Sequence, residues 1–137
     1  MNVILSIKPK YVQAILAGKK RVEFRKTMFK KQVKKVYIYS SAPEKKIVGY
    51  FIVSNIVEAS PSELWQKFKK VGGIEKDSFF EYYKDKERGY SLCIGSVNQF
   101  DEYIDPYSFI KGFTPPQSYC YCSDLQQNNS LKHTYAA

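Results

Sequence analysis

Eight consecutive positions, residues 18–25, read GKKRVEFR and hold the side chains best suited to chemistry. Gly18 lets the chain turn sharply, because a residue without Cβ tolerates left-handed backbone angles. Lys20, Glu23 and Arg25 follow it. In an extended segment Glu23 and Arg25 share one face, about 7 Å apart, with Lys20 at its mouth. A carboxylate set between two cations stays ionised. Such a group can hold a phosphate through its cations while the carboxylate accepts a bond from a base or a sugar hydroxyl. The same residues could equally form an ion-pair network on an exposed strand face, which contributes little. Spacing alone leaves both readings open.

The elements that must position this segment follow from periodicity. Residues 3–7 are an apolar, β-rich run and predict a buried strand. Pro9 suits the first turn of a helix. Tyr11, Val12, Ile15 and Leu16 then fall on one helical face, and Gly18 ends that helix. Residues 21–26 alternate, with Val22 and Phe24 on one side and Arg21, Glu23 and Arg25 on the other, which predicts a strand. A lysine-rich connection over 26–35 leads to a strand over 36–41, a turn at 42–45 and a long strand over 46–57. Gly49 inside that strand marks a bulge or a bend.

Ser60, Pro61 and Glu63 spell a capping box for a helix whose inner face is Leu64, Trp65 and Phe68. Gly72 and Gly73 break it. Asp77 is expected to cap a second, aromatic helix carrying Phe79, Phe80, Tyr82 and Tyr83. Residues 89–104 read as one long strand kinked near Gly95, and Pro115-Pro116 introduces a last strand over 117–122. The expected architecture is α+β: one domain over residues 1–122, a partly open mixed β-barrel with bordering helices, followed by a flexible polar tail over 123–137.

Charge and composition narrow the function classes. The 137 residues are 44% hydrophobic and 26% charged, ordinary values for a globular domain. Net charge is +9, but residues 1–46 carry 13 Lys/Arg against Glu23 and Glu44 alone, and the remainder is slightly acidic. A basic third beside a near-neutral remainder suits a polyanionic partner, or is a solvated face kept for solubility. Lys26, Lys30, Lys31, Lys34 and Lys35 are the candidate phosphate contacts. Twelve Tyr and nine Phe are many for so small a core; a tyrosine beside a cation can stack on a base or simply pack half-buried on a strand.

Ser40 and Ser41 end a strand, where their hydroxyls could bond a phosphate or begin a turn. Gln117 could read a base edge and Tyr119 stack on it, or both could belong to an edge strand led in by two prolines. Cys93, Cys120 and Cys122 are too few and too closely set, even with His133, to build a tetrahedral metal site. Free thiols in a reducing cytoplasm are expected, with no cofactor. No apolar run is long enough to span a membrane, and the first ten residues have too short an apolar core for a secretion signal.

The spacing Gly18, Lys20, Glu23, Arg25 resembles the signature of the ASCH domain, a branch of the PUA-like superfamily. The blocks ILSIKPKYVQAILAGKK, KKVYIYSSAPEKKIVGYF, SPSELWQKF, DSFFEYYKDKERGYSLCIG and TPPQSYCY are similar to successive blocks of a prokaryotic and phage subgroup of that family. The resemblance implies a β-barrel with helices bordering a cleft, and an RNA- or nucleotide-binding role for a basic cleft around Lys20, Glu23 and Arg25. It also implies an alternative, hydrolysis of RNA or of a modified nucleoside. Relatives that hydrolyse N4-acetylcytidine use a Lys, a Thr and a distant Glu. The Lys matches Lys20 and the Glu matches Glu81, but Glu23 stands where the Thr nucleophile would be. Glu81 could lean over the cleft toward Lys20 or face solvent on an amphipathic helix. Glu23 and Glu81 together could converge on one ion, as in metal-assisted ribonucleases. A third role, a regulatory ligand sensor working with a protein partner, would leave DNA contact to the barrel or to that partner.

Overall fold

The computed structural model describes residues 1–117 and 119–125. In chain order the elements are β1 (Asn2–Ile7), α1 (Pro9–Leu16), β2 (Val22–Arg25), β3 (Lys35–Ser40), β4 (Lys46–Ala59), α2 (Pro61–Phe68), α3 (Lys76–Tyr82), β5 (Gly89–Ile104), α4 (Pro106–Phe109) and β6 (Tyr119–Cys122). The six strands make one mixed sheet in the order β2-β5-β4-β3-β1-β6. Among the described residues only the β1–β3 pair is parallel, with α1 and β2 in the crossover between them. Among the described residues β2 and β6 are both edges, so the sheet curls into a half-barrel instead of closing.

The curl follows from irregular pairing of the two longest strands. The β4–β5 register shifts between Ile47 and Gly49, and again between Phe51 and Val53 and between Val53 and Asn55. Each shift adds local twist and bends the ribbon. Gly49 sits where a Cβ would run into the Asn98 carbonyl of β5, so this close backbone approach requires glycine.

Alternation along the strands sorts the core onto two faces. Val3, Leu5 and Ile7 of β1 join Val36, Ile38, Phe51 and the α1 residues Val12 and Ile15 on one side. Ile4 joins Tyr37, Tyr39, Ile47, Phe100 and Ile104 on the other. A third cluster, Val22, Phe24, Leu64, Phe68, Phe79 and Tyr83, ties edge strand β2 to α2 and α3. Phe79 is at its centre, edge-on to Phe24 at 4.9 Å and to Tyr83 at 4.9 Å.

The capping box opens α2 as the sequence predicts: the Glu63 amide donates to Ser60 Oγ and the Ser60 amide donates to Glu63 Oε1, both at 3.2 Å. Ser60→Ala is expected to cost about 1 kcal/mol, read from the midpoint of a denaturant titration.

Three expectations are corrected. Glu75, not Asp77, precedes the first turn of α3, and no side chain caps it; Asp77 lies within that turn, where its carboxylate suits the helix dipole. A short helix, α4, follows β5, with Asp105 accepting from the Tyr107 amide at 3.0 Å. The packed body also continues past Cys122, because Tyr37 OH donates to Asp124 at 2.6 Å and Leu125 is buried against the second core face. The rest of the expected tail, including His133, lies outside the described residues.

Candidate nucleic-acid interface

Gly18, at φ +78°, turns the chain after α1. The amides of Lys19 and Lys20 both donate to the Ala14 carbonyl, at 2.9 and 3.0 Å, which swings residue 20 inward. Arg21 then anchors the entry to β2: its amide donates to Val71 O at 2.7 Å and its carbonyl accepts from Ile94 N at 2.9 Å.

Lys20 is only 2% exposed. Its ammonium donates to the Gly72 carbonyl at 2.5 Å and lies 3.8 Å from Glu23 Oε1. The rings of Tyr11 and Phe24 both lie 5.2 Å from the Lys20 nitrogen. Burial lowers the Lys20 pKa below its ordinary value, and the Glu23 charge only partly opposes that. Glu23 is itself 7% exposed, with its other oxygen 3.2 Å from the Arg25 guanidinium. Lys20 and Glu23 therefore form a buried pair that the half-buried Arg25 extends, not a solvated pattern on an exposed strand face.

This network forms part of the wall of a cavity of about 830 Å³. Lys8, Lys10 and Tyr11 line it from the start of α1, Ser6 and Ile7 from the end of β1, and Asp77, Ser78, Glu81 and Tyr82 from α3. The α3 residues fall at i, i+1, i+4 and i+5, one helical face. Gln117 completes the wall from the approach to β6. Of the residues singled out in the sequence, the fold thus brings together Lys20, Glu23, Arg25, Glu81 and Gln117.

The others stand apart from that wall. Ser40 is fully buried at the end of β3, and its hydroxyl has no partner among the described residues. Ser41 is half-buried and its amide donates to Ile7 O at 3.0 Å. Lys30, Lys31 and Lys34 are exposed on the connection between β2 and β3. Tyr119 packs edge-on against Phe29 at 4.8 Å.

The cavity is mixed in charge. Lys8, Lys10, Lys20 and Arg25 face Glu23, Asp77 and Glu81. A count of charge along the chain cannot show this, because α3 comes from the acidic later part and folds over the basic segment. Among the described residues no group of three or more His, Cys, Asp or Glu side chains is placed to hold a metal ion. Both Glu23 oxygens are already engaged by cations.

Two features that hold the wall residues in place escaped the sequence reading. Gly72 and Gly73 register there only as a helix breaker. In the fold Gly72 supplies the carbonyl for Lys20, and Gly73, at φ +62°, lies so close that a Cβ would sit 2.9 Å from Lys20 Cβ. The second feature is Tyr83, whose buried hydroxyl lies 3.0 Å from Arg25 O and 3.2 Å from Tyr90 O, either of which can accept its proton. Burial and the neighbouring Tyr82 raise its pKa, so it remains a neutral donor that fixes the end of β2 against α3. The adjacent glycines were the available signal for the first; nothing in the local pattern separates Tyr83 from its aromatic neighbours.

A curled mixed half-barrel with helices bordering a cleft is the PUA-like architecture. The chain belongs to the ASCH domain family, whose model matches residues 5–109. It is similar to an ASCH domain-containing ribonuclease of Zymomonas mobilis, with 25% identity over 120 residues, 85% of this chain and 81% of the relative. It is also 31% identical over 114 residues to the large ribosomal subunit protein uL22 of Ureaplasma parvum, 81% of this chain but 37% of that protein. Among solved structures, the crystal structure of ASCH from Zymomonas mobilis has a TM-score of 0.86 at 21% identity, covering 96% of this chain and 94% of that one. The N-terminal domain of Staphylothermus marinus McrB has a TM-score of 0.56 at 11% identity, covering 93% and 91%. Both structural likenesses concern the fold.

Proposed function

We propose that the chain binds RNA or a nucleotide in the cleft lined by Lys20, Arg25, Glu81 and Gln117. The observation that carries this reading is Lys20: an ammonium buried against its own solvation, with a lowered pKa, beside a large cavity. A fold gains little from such a charge, whereas an anionic or carbonyl-rich ligand does. Tyr11 and Tyr82 offer faces for stacking, Lys8 and Lys10 offer phosphate contacts, and Gln117 has the donor and acceptor to read a base edge. The ribonuclease activity named for the Zymomonas relative supports an RNA ligand. Three free cysteines fit a reducing cytoplasm, and among the described residues no helix is long and apolar enough to cross a membrane.

Titration of labelled RNA oligonucleotides and mononucleotides at several salt concentrations tests this. Binding is expected at low salt and weakens as salt rises, since each neutralised phosphate releases counterion. No binding of any of them at low salt overturns the reading.

One observation favours a second reading, hydrolysis. Burial lowers the Lys20 pKa and so favours its neutral form, which can take a proton, and Glu81 shares its cavity. Glu23 cannot replace the Thr nucleophile of the acetylcytidine hydrolases while both its oxygens hold cations. Incubation with labelled RNA and with N4-acetylcytidine, each with and without divalent metal, decides: no turnover in any mixture removes hydrolysis and leaves binding.

A further inference from the structure

We propose that the edge strand β6 and the lysine-rich connection before β3 form a second RNA contact, which carries a single strand onward from the cleft. The ligand is then an RNA chain of several nucleotides, not a lone nucleotide. This inference rests on the cleft reading above.

Residues 26–35 hold five lysines and no acid. The fold does not leave that segment loose beside the sheet. Tyr121 OH accepts the backbone N–H groups of Lys30 and Lys31, at 3.0 and 3.1 Å, and the Lys31 ammonium lies 5.1 Å from the centre of the Tyr121 ring. Tyr119 packs edge-on against Phe29 and, at 5.4 Å, against Tyr121. The side chains of Lys30, Lys31 and Lys34 remain exposed, and no carboxylate among the described residues pairs with them.

The cleft is mixed in charge, so the excess of cations lies largely outside it, and this strip holds much of that excess. Fixed cations beside half-buried tyrosines are what a sequence-tolerant single-strand tract needs: phosphate contacts with aromatic faces alongside. The strip follows the cleft wall along the chain: Gln117 lines the cleft and Tyr119 begins β6 two residues later. Tyr119 and Tyr121 then point the same way about 7 Å apart, a step suited to successive nucleotides of an extended strand. The rival occupant of a sheet edge is a polypeptide strand. Lys30 and Lys31, held beside that edge by Tyr121 OH, oppose such pairing, which favours RNA.

Fluorescence anisotropy with a labelled RNA dinucleotide and an octanucleotide tests the strip. The wild type is expected to bind the octanucleotide at least about tenfold more tightly, as its extra phosphates meet the strip. In Lys30→Gln/Lys31→Gln that ratio falls toward one, and the slope of log affinity against log salt drops by about 1.4 for the octanucleotide. Tyr121→Phe, which keeps the ring but frees the two backbone N–H groups, loses part of the ratio. An unchanged ratio and slope in the double variant overturns the strip. So does a double variant that alters self-association in place of RNA affinity, which would make the edge a protein contact. If Lys20→Met weakens octanucleotide binding and the double variant does not, the cleft reading stands and this inference fails. If the wild type binds neither oligonucleotide, the cleft reading itself fails and takes this inference with it.

Discussion

Lys20→Met is expected to weaken RNA or nucleotide binding about ten- to hundredfold, the loss of one charge-assisted hydrogen bond worth about 1.5–3 kcal/mol. Its melting temperature is expected to stay within about 5 °C of wild type. The two effects separate for a physical reason. Burial lowers the Lys20 pKa more than Glu23 raises it, so the folded environment disfavours the ammonium overall. Methionine fills similar space without that desolvation, and Glu23 keeps its bond to Arg25 at 3.2 Å. The Gly72 carbonyl loses its partner, which offsets part of the gain.

A pH series sharpens this test. In the wild type the folded chain holds the Lys20 proton less tightly than the unfolded chain does. The stability tied to Lys20 therefore increases as pH rises from the lowered folded value toward 10.5, and is absent below that folded value. The wild type is expected to gain on Lys20→Met across that window, measured by denaturant titration of both chains. A variant that melts more than about 10 °C lower, with a matching loss of affinity, would make Lys20 a structural pin.

Gly73→Ala is expected to destabilise the fold by about 1–3 kcal/mol and to weaken ligand binding about tenfold or more. Two costs combine at this position. The backbone is left-handed, at φ +62°, and the new methyl would lie 2.9 Å from Lys20 Cβ and 3.0 Å from Cγ. Lys20 must then shift within a wall that also holds Glu23. Gly112→Ala is the matched control: φ is +70° there, but nothing lies within 4 Å of the added carbon. It is expected to show the backbone cost without the loss of binding. Equal effects of the two substitutions on affinity would show that the Gly73–Lys20 contact does not hold the ammonium in place.

Much of the fold was legible because it rests on local rules. The Pro9 start of α1, the Gly18 turn, the Ser60–Glu63 capping box and the long strand at Gly89–Ile104 each announce themselves within a few residues. The β4 bend at Gly49 was legible too, since glycine inside a strand signals a close approach, although the Asn98 carbonyl responsible lies far along the chain. The cap of α3 was misplaced because Asp77 has the chemistry of a cap but lies inside the first turn, past the cap position at Glu75, in the cavity wall. α4 went unseen because four residues are too few to show a period.

What the sequence determined by itself was membership: the types and spacing of Gly18, Lys20, Glu23 and Arg25, with the blocks around them, carry the family and its half-barrel. Tertiary structure alone decided the state of those residues. Whether Lys20 and Glu23 are a solvated surface pair or a buried network depends on Gly72 and Gly73, some fifty residues on, and on the packing of Tyr11 and Phe24 around the ammonium. Whether the cleft is uniformly basic depends on α3, which folds Asp77 and Glu81 across from Lys8 and Lys10. Both are matters of desolvation and of charge at a distance, set by which segments meet in space, and local spacing contains neither.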